Sequence, residues 1–474
     1  MGLWAYLVVM SMGKRRQEQA PLWVSTGELP KSPGHPFYEG LNRVLEAADF
    51  DRFVERRCAR FYAEDMGRPS LAPGRYFRLM LLGYFEGLSS ERGIAWRAAD
   101  SLAVRSFLGL GLEERGPDHS TISRTRRLID VETHREVFAW VLEQLAGHGL
   151  VKGKTVSVDA TTLEANAAMR SIVRRDTGES YRSYLEGLAQ ASGVKTPTRA
   201  ALARLDRRRK KKGSNDTWSS PSDPDAKITK MKDGRTHLAH KAEHAVDMDS
   251  GTIVAVTVQD ASAGDTTTMR KTLDEAERHL NRLMAKPALL DLVVGLQEVV
   301  ADKGYHSTEA LVALEDAGWR PYVSEPERGR RRWRDDVSGQ EAVYANRRRN
   351  RGERGKRLQR LRGERTERSF AHLYETGGLR RTHLRGHQNI LKRVLIHAGA
   401  FNLGRLLRRL LGLGTPRGLQ GRPGLVLRLL LCLYRVCRPF LARPAITLST
   451  AGPPRRHRIN RSGADINARF TTGC

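Results

Sequence analysis

From position 37 to about 150, apolar residues return every three or four positions. Leu41, Val44, Leu45, Phe50 and Phe53 form one such series, and Tyr76, Leu79, Leu82 and Phe85 another. That spacing lines side chains along one face of an α-helix, so the stretch predicts an all-helical domain. Near its end, Asp118 or Ser120 can cap a helix that carries Arg124, Arg126, Arg127 and Leu128. A capped basic helix after several shorter ones suits a DNA groove or a row of phosphates. A solvated basic face on a bundle helix fits the same pattern.

The pattern changes at Gly153. Residues 154–159 (KTVSVD) alternate and are β-branched, which predicts a strand ending in an acid. Polar sequence follows from about 163 to 235, with helical 182–205, the run 207–212 (RRRKKK) and a Ser/Pro/Asp-rich loop at 214–225. It reads as a basic insertion or a flexible linker. Strands return at 237–247 and 252–258, joined by Asp249-Ser250-Gly251 as turn. A helix is expected at 266–284, a short buried strand ending in an acid at 298–302, a helix at 307–318 and a strand at 321–324. Basic helix is expected from 347 to 370 and amphipathic helix from 383 to 411, with Leu391, Val394, Leu395, Ala398 and Phe401 on one side. The order predicts an α/β fold, a mixed sheet flanked by helices.

The expected organisation is therefore an extension at 1–36, a helical DNA-binding domain at 37–150, a catalytic α/β domain at 151–411 with its insertion near 163–235, and a basic, poorly ordered tail at 412–474. The apolar opening of the chain and residues 425–437 are both too short for a membrane span of about 20 residues. The opening lacks the layout of a signal peptide, and 425–437 is interrupted by Arg428 and Arg435.

Charge narrows the partner. Lysine and arginine number 82 against 53 acids, a net charge of +29 in 474 residues. A polyanion is the simplest reason to tolerate such self-repulsion. The four cysteines are irregularly spaced and form no CxxC pair, so neither a disulfide framework nor a zinc ribbon is indicated.

Two acids end short apolar strands, Asp159 and Asp302. Brought together they repel unless cations neutralise them, and Mg2+ suits such hard oxygen ligands. A pair of ions can activate an attacking oxygen and stabilise a leaving one in phosphoryl transfer. A turn or cap role is the alternative for a lone aspartate. The neighbouring motifs favour chemistry. VSVDATTLEANA, DTWSSPSDPDAK, VVADKGYHS and GERTERSFAHLYETGGLRRTHLRG resemble landmarks of the DDE transposases of bacterial insertion sequences, and the resemblance runs from about 37 to 410.

That resemblance implies an RNase H-like catalytic core behind a helical N-terminal domain. It implies Asp159, Asp302 and Glu367 as catalytic, metal-holding carboxylates, with two Mg2+ ions that Mn2+ can replace. Glu364, three residues from Glu367, stays open as the third ligand, because the Tyr-x2-Arg-x3-Glu-x6-Lys pattern of related transposases is complete around neither. The implied reaction cleaves DNA at the element ends and joins the 3′ hydroxyl to target DNA. A homodimer on DNA and a cytoplasmic, nucleoid-associated location follow from the same likeness. Rival readings are an RNase H-fold nuclease without strand transfer and an inactive or regulatory DNA-binding copy. Lys303, Arg368, Arg380, Arg381, Arg385 and Lys392 are candidate phosphate contacts or solvated charges. Trp218 could stack on an unpaired base or pack its loop onto the core.

Overall fold

The structure, a computed structural model, describes residues 34–419 except 64–69, 195, 210–212, 232–233, 328, 330–332 and 334–335. The expected N-terminal extension up to 33 and the tail from 420 lie outside the described residues.

The helical part comprises α1 (Pro36–Ala47), α2 (Phe50–Cys58), α3 (Pro73–Phe85), α4 (Glu91–Asp100), α5 (Leu102–Phe107), α6 (His119–Leu128) and α7 (Val131–Gly147). Local chemistry sets several of its ends. The Asp118 carboxylate accepts from the Ser120 amide to open α6, and Asp130 does the same for Thr133 in α7.

β1 (Thr155–Glu164) begins the α/β part and runs well past Asp159. The insertion after it carries β2 (Val173–Arg174), α8 (Tyr181–Ala191), α9 (Arg199–Arg208) and β3 (Trp218–Ser219). It has small cores of its own, Ile172, Trp218, Ala226 and Leu238 with Ala165, and Leu185, Ala189 and Leu202. The linker alternative is thus set aside, since a solvated linker buries no such cluster. Next come β4 (Lys227–Lys230), β5 (Thr236–Asp247), β6 (Ile253–Asp260), α10 (Asp265–Met284), β7 (Glu298–Ala301), α11 (Thr308–Asp316), β8 (Arg320–Val323), α12 (Val337–Arg351), α13 (Glu353–Phe370) and α14 (His387–Leu411).

In the sheet, β5 lies between β1 and β6, antiparallel to both, with β4 extending the β6 edge. On the other side of β1, β7 and then β8 are parallel to it. The order is thus β6, β5, β1, β7, β8, two antiparallel pairs followed by two parallel ones, the RNase H-like arrangement. Parallel neighbours need crossovers, which α10 and α11 supply.

Two expected helices differ in detail. The stretch at 347–370 is broken at Gly352, where the backbone turns extended. Gly355 then lets α13 begin close to the end of α12, since a Cβ there would meet the Arg349 carbonyl oxygen at 2.3 Å. α14 is buried around most of its circumference rather than on one side. It packs against α3, α7 and β6, and Asn402 closes the edge of β6 with bonds to both the amide (3.0 Å) and the carbonyl (2.8 Å) of Ile253. One continuous apolar core therefore runs from Phe37 to Leu407, across the boundary expected at 150.

Candidate active site

Strand register brings the two aspartates together. β1 and β7 pair Thr155 with Glu298, Val156 with Val299 and Ser157 with Val300. The ladder ends there, and the same offset continued two residues further would set Asp159 of β1 opposite Asp302, the residue directly after β7, with neighbouring strands about 4.8 Å apart. Both fall on the sheet face that α13 covers, because alternate positions share a face. There Thr366 of α13 donates to Ser157 at 3.0 Å and Arg354 grips Glu298.

Asp302 ends its strand as a cap, its Oδ1 accepting from the Gly304 amide at 2.8 Å. Asp159 is half-buried, and the Arg362 guanidinium of α13 lies 3.1 Å from its Oδ2. The Arg362 Nε is buried without a hydrogen-bond partner. A cation thus already sits on the carboxylate for which neutralisation was expected.

Glu367 is on the helix that covers this face but turns away from it. It lies five residues after Arg362, about 140° around an α-helix. Its side chain is exposed, and no hydrogen bond or ion pair among the described residues joins it to either aspartate. Glu364 points further out, about 160° from Arg362, and pairs with Arg368 at 3.6 Å. No cluster of three or more His, Cys, Asp or Glu among the described residues is placed to hold a metal ion.

A buried hydrogen-bond chain fixes the rotation of α13. Ser369 donates to the Thr366 carbonyl at 2.7 Å, and Thr366 reaches Ser157. The His244 ring stacks on Phe370 with centroids 4.3 Å apart and touches both Ser369 and the Tyr374 hydroxyl, at 3.3 and 2.7 Å. Because Ser369 already donates elsewhere, the consistent tautomer has the His244 Nδ1 donating to Ser369 and Nε2 accepting from Tyr374. Burial pulls the His244 pKa down to about 3, so the ring is neutral at ordinary pH. Past Phe370 the helix widens into a π segment, Ala371–Thr376.

The basic candidates separate. Arg124, Arg127, Lys303, Arg368, Arg380, Arg381 and Arg385 are exposed. Arg380 pairs with Glu375, Arg381 lies 3.8 Å from Glu164, and Arg385 donates to the Asn166 carbonyl at 3.3 Å. Two other basic candidates, Arg126 and Lys392, depart from expectation because they are buried, and so does Trp218. Arg126 pairs with Glu91 at 2.7 Å and also reaches Asn389. Lys392 donates to the Arg126 carbonyl at 3.0 Å. Together they tie α6 to α14 and present no charge to a duplex. Trp218 packs between Tyr181 and Tyr184, with ring centroids at 5.0 and 5.3 Å, so no base can stack on it. The polar sequence around Trp218 hid a local core that only the fold assembles.

Residues 28–128 match a family described as a transposase domain (DUF772), and residues 191–403 match the transposase DDE domain. The chain belongs to the DDE transposases of insertion sequences. No curated protein matches it. Asp302 and Glu367 of the transposase fall within the DDE match, whereas Asp159 lies in the interval between the two matches. No helix among the described residues is long and apolar enough to cross a membrane.

Sequence reading missed Arg362, Lys241, Glu243, Asp265 and Tyr305 around the aspartates. Arg362 was legible only as one basic residue among many on its helix. Glu243 and Lys241, charged residues inside an alternating strand, were the signal that something on the other side of the sheet needed them.

Proposed function

We propose that the transposase binds the ends of its element, cleaves the DNA there and joins the freed 3′ hydroxyl to target DNA, using divalent ions held by Asp159, Asp302 and Glu367. What supports this reading is the β1–β7 register, whose offset continued past Ser157 and Val300 would set Asp159 beside Asp302. Two neighbouring carboxylates are hard oxygen donors of the kind Mg2+ takes, and the Arg362 contact shows that Asp159 draws a positive charge. When bound, two such ions activate the attacking oxygen and stabilise the leaving one.

The chain's own share is placement and charge. Exposed Arg380, Arg381 and Arg385, all within residues 377–386, offer guanidinium forks to phosphates. Lys303, directly after Asp302, offers a point charge beside the reacting strand. In the present rotation of α13, Arg362 occupies Asp159 and Glu367 faces outward, so the two aspartates are the groups best placed to hold an ion. Glu367 is preferred to Glu364 because it heads the ERSFAH stretch and lies nearer in phase to the covered face.

Incubation with duplexes bearing the inverted repeats that flank the gene, with and without Mg2+, tests the proposal. Joined products that require Mg2+ support it. Cleavage without joining supports a nuclease, and binding alone supports a regulatory copy.

A further inference from the structure

On the opposite face of the sheet from α13, a buried carboxylate is tied to the turn that carries Asp302. Glu243 of β5 is fully buried. It accepts hydrogen bonds from the Tyr305 phenol at 2.8 Å, the Thr268 hydroxyl at 2.9 Å and the Thr272 hydroxyl. A buried acid with three donors aimed at it is a built arrangement, because each donor satisfies a lone pair that burial took from water.

Tyr305 closes the single 3-10 turn Lys303–Tyr305, and Asp302 is the residue that caps this turn. The Tyr305 ring is buried, and the negative field of Glu243, Asp159 and Asp265 adds to burial in pushing its pKa far up, so its hydroxyl stays a donor. Burial likewise raises the Glu243 pKa while the three hydroxyls and Lys241 oppose that rise.

The other flank of the turn is held from the same strand. Lys241, two residues before Glu243 and therefore on the same face, pairs with Asp265 at 2.5 Å and donates to the Ala263 carbonyl at 2.9 Å. Asp265 in turn closes on Gly304. A Cβ on Gly304 would stand 2.8 Å from Asp265 Oδ2 and 3.1 Å from Asp302 Oδ1. Glu243 thus reaches the turn directly, while Lys241 fixes the start of α10, whose Asp265 lies close to Gly304.

We infer that Glu243 is a positioning residue: through the Tyr305 hydroxyl it holds the turn after β7 and so fixes where Asp302 stands against Asp159. The inference rests on the proposed role of the two aspartates as ion ligands. A ligand displaced by as little as about 1 Å can lose a hundredfold in rate, so a mount of this kind has a measurable consequence.

The test compares the full-length wild type with Tyr305→Phe, Glu243→Gln and Asp302→Asn. Mn2+ binding is followed by calorimetry on DNA-free protein, and Mg2+ dependence by cleavage of end DNA. Tyr305→Phe keeps the ring and removes only the hydroxyl, so it should still fold, with a melting temperature lowered by a few degrees because Glu243 loses one of its three donors. The expected result is about a tenfold weaker Mn2+ affinity and a matching rise in half-saturating Mg2+, with end-DNA affinity unchanged. Glu243→Gln, which keeps the shape but turns an amide NH2 donor toward at least one hydroxyl, should shift both in the same direction. If it does not fold, Tyr305→Phe alone decides. The inference is overturned if Tyr305→Phe binds Mn2+ as wild type does while Asp302→Asn does not. If Asp302→Asn also binds Mn2+ normally, the proposed ligand role fails instead, and the positioning inference with it.

Discussion

The two sides of the candidate active site are built on different principles. Asp159 and Asp302 stand on strands, where backbone ladders dictate which residue faces which. Their juxtaposition follows from a register that also pairs Thr155 with Glu298. Glu367 stands on a helix, where facing is a matter of rotation and one residue changes the answer by about 100°. α13 is held in its present rotation by the Ser157, Thr366, Ser369 and His244 chain, which turns Arg362 inward and Glu367 outward. The π segment directly after it shows that this part of the chain accommodates a non-standard helical turn. Strand-borne groups are thus placed by the ladder, and the helix-borne group by the contacts that set the helix rotation.

The sharpest break of this contrast removes a strand-borne group. Asp159→Asn and Asp302→Asn should each lower end cleavage about a thousandfold, roughly 4 kcal/mol of barrier, while electrophoretic mobility shifts show end binding within about twofold of wild type. Loss of binding in either would make that acid structural.

The helix side is separated next. Glu367→Gln should lower cleavage about a hundredfold and Glu364→Gln less than about threefold, as read in single-turnover assays. The reverse order would reassign the third carboxylate.

The anchor of the helix carries a pH signature. His244 and His134 are buried, with desolvation the leading cause that brings each pKa down to about 3. Their folded forms stay neutral while the unfolded chain takes protons below its ordinary histidine pKa of about 6.5. Stability is therefore complete above that pH and falls as pH drops toward 3, by about 1.4 kcal/mol per unit for each histidine. Denaturant titrations of wild type and His244→Phe between pH 6.5 and 5 should differ in slope by one such contribution. Equal slopes would mean that His244 gains a proton in the folded state.

The mildest intervention is Arg362→Leu. Freeing Asp159 of its guanidinium should raise Mn2+ affinity of the DNA-free protein about tenfold by calorimetry, because the cation then no longer competes for the carboxylate. An unchanged affinity would show that the ion pair does not oppose metal.

This division also explains what the sequence revealed. The strands that carry Asp159 and lead into Asp302 were legible because β-branched runs and alternation report strand directly, although β1 continues past its expected end to Glu164. The cap at Asp118 was legible for the same local reason. The rotation of α13 was not, because Arg362, Glu364 and Glu367 lie in a helix rich in charge on every side, and only contacts with Ser157 and His244 choose its inner face. Trp218, Arg126 and Lys392 read as surface groups because their neighbours in sequence are polar, whereas the residues that bury them come from elsewhere in the chain. The family motifs identified the chemistry that composition alone left as a basic protein with a polyanionic partner.

The most direct test of the central claim is Mn2+ stoichiometry and affinity measured by calorimetry in wild type, Asp159→Asn, Asp302→Asn and the double variant. Two aspartates sharing one ion site predict that each single substitution abolishes the same binding event that the double substitution abolishes. Wild-type binding in either single variant, or separate events lost in each, would contradict it.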